Sequence, residues 1–147
     1  IDNGLGNFQE EKLKNSEFYE LCKKINLNKL PFLVAENENL IVGFTFLNFF
    51  RNKSGYRFSF ENSIYVHNKF TGMGIGNNLL KELIKESQLR PMIKNIIAVI
   101  GSHESNASIR IHEKNGFEMI GTLKKIGYKK KQWLDAIYMQ KILDEKN

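Results

Sequence analysis

Cysteine and long apolar segments are both scarce in this chain. Cys22 is the only cysteine among 147 residues, so an internal disulfide is excluded. No apolar run approaches the roughly 20 residues of a membrane-spanning helix, and no secretory leader is visible. His67 and His103 fall in predicted loops without metal-ligand spacing to Cys22, so no metal site is predicted. We therefore expect a soluble, cytoplasmic protein that does not associate with membranes.

Positive charge exceeds negative charge, with a formal net charge of +6. A lysine cluster covers residues 124–131, but no aromatic-interleaved RNA-binding motif accompanies it. A solvated face is the first interpretation, attraction of a polyanionic cofactor the second and nucleic-acid binding the third. Nucleic acid is therefore not a predicted partner.

The length of the chain and its 41% hydrophobic residues suit one domain with a sizeable core, residues 1–147. The hydrophobic periodicity predicts that this domain is mixed α/β. A hairpin turn is predicted at residues 37–39. The predicted helices are 16–26, 76–88 and 105–115, and the predicted strands are 32–35, 40–50, 57–66, 96–100, 117–125 and 133–142.

Three alternate glycines follow the strand that ends at Val66, and a helix follows them. Gly72, Gly74 and Gly76 allow a sharp turn and close approach of a ligand to the backbone. The first amides of the next helix lack internal partners, so they and the helix dipole favour a pyrophosphate. A tight turn with a close-packed helix start is the alternative interpretation. The dinucleotide spacing and the Gly-Lys-Ser/Thr of a P-loop are both missing.

A second block, residues 106–117, predicts a short helix between two strands. Ser105 or Asn106 can cap its first turn, and Gly116 suits a left-handed C-terminal stop. Plain architecture accounts for much of this block.

These two blocks resemble the cofactor segments of the GNAT superfamily of N-acetyltransferases, although Thr71 departs from the glutamine or arginine usual there. Residues 60–66, 97–101, 108–113 and 127–135 resemble the phosphinothricin and methionine sulfoximine acetyltransferases. The resemblance implies a mostly antiparallel, twisted sheet whose central strands, ending at residues 66 and 101, splay apart, with helices on its flanks. Residues 5–8 resemble a segment beyond a first strand and helix, so we expect an N-terminally truncated domain.

The resemblance also implies acetyl-CoA as cosubstrate. The backbone amide of Val66 would help to hold the acetyl carbonyl, and Asn106 and Ser108 would contact the pantetheine arm. The full set of implied cofactor residues is Tyr65, Val66, Thr71, Gly72, Met73, Gly74, Ile75, Gly76, Asn77, Asn106 and Ser108.

Glu61 is the candidate general base. Two-residue periodicity puts it on one strand face with Arg57, Ser63 and Tyr65, and the apolar residues on the other. A carboxylate beside the cleft can take a proton from an amine, directly or through a water. A solvent-facing charge on the sheet is the alternative.

Arg57 is the candidate anchor for an anionic acceptor. On a continuous strand its Cα would lie about 13 Å from that of Glu61, a span suited to an acceptor with an amine at one end and an anion at the other. A surface arginine is the alternative. Phe8 matches an aromatic residue that the family carries near the acceptor amine.

His112 occupies the place where the resemblance implies a proton donor for the departing thiolate, and a histidine can serve this role near neutral pH. A buried structural histidine is the alternative. Trp133 is assigned to the core in preference to a dimer contact.

We therefore expect an acetyl-CoA-dependent N-acetyltransferase that acts on a small amino acid or analogue by direct attack in a ternary complex, without metal, and that forms a homodimer. A noncatalytic acyl-CoA-binding or sensing module is the alternative, followed by a basic nucleic-acid-binding domain.

Overall fold

The computed structural model describes residues 14–102 and 106–143, which form one six-stranded sheet flanked by three helices. No helix in these ranges is long and apolar enough to cross a membrane. The helices are α1 (Asn15–Leu27), α2 (Ile75–Gln88) and α3 (Ala107–Lys114), and the strands are β1 (Phe32–Asn37), β2 (Leu40–Phe49), β3 (Ser59–Val66), β4 (Asn95–Gly101), β5 (Glu118–Lys129) and β6 (Gln132–Ile142).

The strands lie in the order β1–β2–β3–β4–β6–β5. Only β3 and β4 run parallel, and every other neighbouring pair is antiparallel. The expectation of a mixed, mostly antiparallel sheet is confirmed. The strand predicted at residues 57–66 begins two residues later, at Ser59.

Helices cover both faces of β2. Phe44 meets the ring of Phe18 in α1, with centroids 5.5 Å apart. Its neighbour Gly43 faces α2, because a Cβ added there would lie 3.1 Å from Cδ1 of Leu79. Successive strand residues point to opposite faces, so α1 and α2 lie on opposite sides of the sheet.

The two parallel strands separate after three residue pairs. β3 and β4 pair only through Ser59–Asn95, Phe60–Ile96 and Glu61–Ile97. Beyond this point β3 stays paired with β2 as far as Val66, and β4 stays paired with β6 as far as Gly101. A slot therefore opens in the middle of the sheet, and the predicted splaying of the central strands is confirmed.

The assignment of Trp133 to the core is wrong. Its side chain is 58% exposed, and its ring packs beside that of Tyr128 at a centroid distance of 5.1 Å. Trp133 lies at the tip of the β5–β6 hairpin, beside the turn at residues 130–131, and β5 is an edge strand. An apolar residue at such a place is shielded only by its own hairpin.

Candidate active site

The slot between β3 and β4 is a cavity of about 200 Å³ that α3 closes on one side. Four of the residues predicted from the sequence to act in the site, Glu61, Tyr65, Ser108 and His112, line the cavity together. The remaining lining residues are Asn62, Ser63, Ile64, Ala98, Val99 and Ile100.

The slot connects the two faces of the sheet. Tyr65 pairs with Phe44, and their rings lie 4.8 Å apart on the α1 face. Glu61 shares that face, since it is four residues from Tyr65 along the strand. Asn62 points the other way and bonds to His112 of α3. Polar residues from both faces of the sheet therefore line the same slot.

Glu61 sits in an environment that favours its protonated form. Burial raises the pKa of its carboxyl above the ordinary value of 4.5, and the positive charge of Arg51 lowers it in part. A carboxylate with a raised pKa is a stronger base once ionised. The interpretation as a solvent-facing charge does not fit a carboxyl that is half-buried in the slot.

The glycine loop leaves the start of α2 open. Gly72 and Gly74 have φ angles of 78° and 79°, and an added Cβ would meet nothing within 4 Å at either position. Gly74 is the N-cap and supplies no side chain to bond the first amides, and the first turn carries no acidic residue. Such backbone amides and a positive helix end are suited to an anion.

Gly76 fits the alternative interpretation of close packing. A Cβ there would lie 3.5 Å from Ile111 and 3.7 Å from Val66. This glycine therefore lets α2 begin close to β3 and α3. The loop combines an open cradle at its first two glycines with a packed helix start at the third.

Two side chains of the cradle, those of Thr71 and Asn77, are held by hydrogen bonds within the protein. The hydroxyl of Thr71 donates to the carbonyl of Asn68 over 3.0 Å. Oδ1 of Asn77 accepts from Nδ2 of Asn115 over 2.8 Å. Met73 is 63% exposed. The groups left to meet a ligand are mainly backbone amides.

His112 has its protonation pattern fixed by two partners. Nδ1 lies 2.6 Å from the carbonyl oxygen of Ser108, which can only accept, so Nδ1 carries the proton. Nε2 lies 2.9 Å from Nδ2 of Asn62 and accepts from it. Burial lowers the pKa of His112 below its ordinary 6.5, and the bond to Ser108 partly offsets this shift. The imidazole is therefore neutral near pH 7.

The structure contradicts the predicted placement of Arg57. Residues Ser54–Tyr56 form a short 3₁₀ turn, and the amide of Arg57 bonds to the carbonyl of Ser54, so Arg57 precedes the strand. Its guanidinium carbon lies 4.5 Å from the centre of the Phe58 ring and a nitrogen donates to Ser54 over 3.1 Å. The strand spacing that linked Arg57 to Glu61 does not apply.

Two residues that act on the predicted site residues were not identified from the sequence. Arg51 is the cation whose charge reaches Glu61. Asn62 is 8% exposed and bonds to a histidine 50 positions away. The alternation along β3 places Asn62 on the helix-facing side, and a polar residue at that position was the available signal.

Asn106 does not line the slot. Asn106 is the N-cap of α3 but makes no side-chain capping bond, so its expected capping bond is not formed. Phe8 lies outside the described residues, as does Ser105, the alternative cap. Within the ranges that the structure covers, no group of three or more His, Cys, Asp or Glu side chains is arranged to hold a metal ion.

Comparison with known proteins identifies the family of this chain. The model of the acetyltransferase (GNAT) domain matches residues 7–138. The L-methionine sulfoximine/L-methionine sulfone acetyltransferase of Salmonella typhimurium is 35% identical over 115 residues, which are 78% of this chain and 66% of that protein.

Similar solved structures support the same family. A ribosomal-protein-alanine N-acetyltransferase from Brucella melitensis is 40% identical, with a TM-score of 0.91 over 96% of this chain and 86% of that one. A phosphinothricin acetyltransferase from Sinorhizobium meliloti, solved in complex with acetyl-CoA, is 35% identical, with a TM-score of 0.90 over 96% and 76%. With its parted central strands and glycine cradle, this chain belongs to the GNAT family of acetyltransferases.

Proposed function

We propose that this protein transfers the acetyl group of acetyl-CoA to the amino group of a small amino acid or amino-acid analogue. The observation that carries the proposal is the slot itself, with the cradle at one end and Glu61 on the face opposite α3. The Sinorhizobium meliloti relative, which was solved with acetyl-CoA, supports the same cosubstrate here.

The chemistry needs few side chains. The acceptor amine, in its neutral form, attacks the thioester carbonyl carbon, and a C–N bond forms. Glu61 takes the proton that the nitrogen loses, directly or through a water. The C–S bond then breaks and sulfur leaves with the electron pair. Both reactants are bound together, so transfer is direct and no acyl-enzyme forms.

His112 stays the proposed proton donor for the thiolate, and its resting state sets a condition on that role. Its one ring proton points at the carbonyl of Ser108, and Nε2 already accepts from Asn62. To act as an acid, Nε2 must first gain a proton and displace the Asn62 amide.

We propose that Arg51 binds the carboxylate of the acceptor. Its charge lowers the pKa of Glu61, so a negative group held between them would be stabilised by the same cation. An acceptor with an amine and a carboxylate on one carbon suits this pair. The names of the relatives support small acceptors of the methionine sulfoximine or phosphinothricin type.

Thiol release from acetyl-CoA tests the proposal directly. The acceptor panel contains free amino acids, phosphinothricin, methionine sulfoximine and a short peptide with an N-terminal alanine. Release with a free amino acid or analogue, lost in Glu61→Gln, is the expected result. CoA binding without turnover on any acceptor would favour the noncatalytic sensing module, and selective turnover of the peptide would favour a protein substrate.

We also propose a homodimer that works in the cytoplasm, where acetyl-CoA is available. β5 is an edge strand that exposes five apolar side chains, and such edges are normally covered. Sedimentation of the wild type and of Ile126→Lys tests the dimer. A wild-type monomer would contradict it. The exposed residues are Met119, Ile120, Leu123, Ile126 and Tyr128.

A further inference from the structure

Asn62 carries a buried amide oxygen that accepts no hydrogen bond from any residue the structure describes. Its side chain is 8% exposed and lines the slot. Its one hydrogen bond among the described residues joins Nδ2 to Nε2 of His112, so nothing there donates to Oδ1. A buried carbonyl oxygen left without a donor is costly, and native proteins rarely keep one unless a ligand or water completes it.

His112 determines which way this amide points. Since Nδ1 of His112 carries the proton, Nε2 presents a lone pair. The NH₂ group of Asn62 can face that lone pair, whereas the flipped amide would set two acceptors against each other. Oδ1 is therefore turned away from α3.

Asn62 lies at the end of the slot beside the proposed base Glu61. This end is four residues along β3 from Val66, whose amide was expected to hold the acetyl carbonyl and which does not line the slot. Asn62 is the first residue of β3 beyond the last pair with β4, Glu61–Ile97. It adjoins Glu61 in the chain and faces the opposite side of the sheet, so the two residues flank the slot at the same depth. A ligand group that enters the slot from the α3 face and reaches the depth of Glu61 would therefore lie next to the Asn62 side chain.

The donor that can satisfy this oxygen follows from the chemistry of the cosubstrate. An acetyl thioester has no N–H or O–H group. The nearest donor in acetyl-CoA is the amide N–H of the cysteamine unit, two carbons from sulfur. We propose that Asn62, oriented by His112, accepts this N–H through Oδ1 and so fixes the position of the thioester relative to Glu61. This inference rests on the proposed function.

Binding measurements separate this contact from a general effect on the fold. Dissociation constants are measured for CoA and for 3′-phosphoadenosine 5′-diphosphate, which lacks the pantetheine arm. We expect Asn62→Ala to weaken CoA binding about fivefold, as one lost hydrogen bond implies, and to leave the nucleotide unaffected. Asn95→Ala is the matched control, because this asparagine bonds to Gln140 outside the slot and should change neither constant.

Asn62→Asp keeps the test valid if the alanine variant folds poorly. A carboxylate retains an acceptor for the arm but loses the donor to Nε2, so CoA affinity should stay within about twofold while His112 becomes protonated near pH 7. Nitrogen NMR shifts of the His112 ring report this change without turnover.

The failures can be told apart. If the wild type binds neither CoA nor the nucleotide, the proposed function fails. If the wild type binds both and Asn62→Ala binds CoA equally well, only the Asn62 contact is refuted. If Asn62→Asp loses as much CoA affinity as Asn62→Ala, acceptance through Oδ1 is refuted.

Discussion

The side chain of Asn115, at the end of α3, donates to Oδ1 of Asn77 in the first turn of α2 over 2.8 Å. The same Nδ2 also donates to the carbonyl of Ile111 over 2.7 Å. One amide therefore ends α3 and braces the helix start that forms the cradle. The two segments proposed to bind the cofactor are joined through their side chains.

Replacing Asn115 by alanine should loosen the cradle. We expect the dissociation constant for CoA to rise about fivefold, because the first turn of α2 loses its brace. Asn28→Ala is a close control, since Asn28 ends α1 and its Nδ2 donates to the Lys24 carbonyl over 2.8 Å. Calorimetric titration measures both. Equal effects would mean that the bond to Asn77 plays no part in binding.

Gly74→Ala should weaken CoA binding by tenfold or more, because a Cβ enters the open space where the phosphates are proposed to lie. Part of any loss comes from the left-handed backbone, which disfavours alanine. Gly116→Ala controls for this strain, because Gly116 has φ of 87° and lies outside the cradle, and the Nζ of Lys141, 2.6 Å from the added Cβ, is the end of a flexible side chain that can move aside. The cradle assignment fails if both variants bind CoA alike at matched folded fractions.

Glu61→Gln should lower turnover about 100-fold or more while CoA affinity changes little. The pKa of Glu61 is raised, so its contribution to stability is fully present below pH 4.5 and is lost as pH rises through the folded pKa. The neutral glutamine avoids this loss, and we expect the variant to melt a few degrees higher at pH 7.5.

Steady-state rates and thermal melts across pH 4 to 8 check both statements. The wild-type rate should rise with pH through the raised pKa of Glu61. Unchanged turnover in the variant would remove Glu61 as the base, and a lower melting temperature at pH 7.5 would contradict the burial argument.

His112 should make the protein less stable in mild acid. Its folded pKa lies below the unfolded value of about 6.5, so the unfolded chain binds the proton more readily. Stability is complete above pH 6.5 and falls as pH drops toward the folded pKa. Glu61 acts in the opposite direction, so single variants must be compared.

Melting temperatures of wild type, His112→Gln and His67→Gln between pH 5 and 7.5 test this. His67 is exposed, and its replacement removes a histidine without emptying a buried site. We expect only His112→Gln to flatten the acid decline. A decline as steep as in the wild type would mean that His112 is not held neutral.

Arg51 and Arg57 yield opposite expectations for acceptor binding. Arg51→Ala should raise the KM for an amino acid about tenfold and change the KM for the corresponding amine without a carboxylate much less. Arg57→Ala should have a small effect, because Arg57 precedes β3 and, unlike Arg51, is not a charge that shifts the pKa of Glu61. Initial rates of acetyl transfer to both acceptors give the KM values for each variant. A selective loss in Arg57→Ala instead would restore the assignment made from the sequence.

Local patterns carried the prediction of the fold and of the cradle. Alternation along β3 and the spacing of Gly72, Gly74 and Gly76 are properties of neighbouring residues, so the sequence displays them. The parting of β3 from β4 was implied by resemblance to the family, and the pairing that ends at Glu61 confirms it.

The sequence misled or gave no information where the position of a residue depends on distant or competing contacts. Arg57 continued the alternation of β3, but a 3₁₀ turn with its own bond to Ser54 ends that pattern. Trp133 is a typical core residue, but it lies at the tip of the β5–β6 hairpin, past the last pair of β6 with β4, and is therefore exposed. The partner of Asn62 lies 50 residues away, and local spacing carries no information about such pairs.

The parting of β3 and β4 also has a consequence for the timescale of motion in the sheet. Every second backbone amide of residues 63–66 points away from β2, toward a gap in which no strand of the described part of the chain lies opposite it. These amides should exchange with deuterated water far sooner than their immediate neighbours, which bond to β2. The centre of the sheet therefore alternates residue by residue between fast and slow exchange, and an occupied slot would erase this alternation.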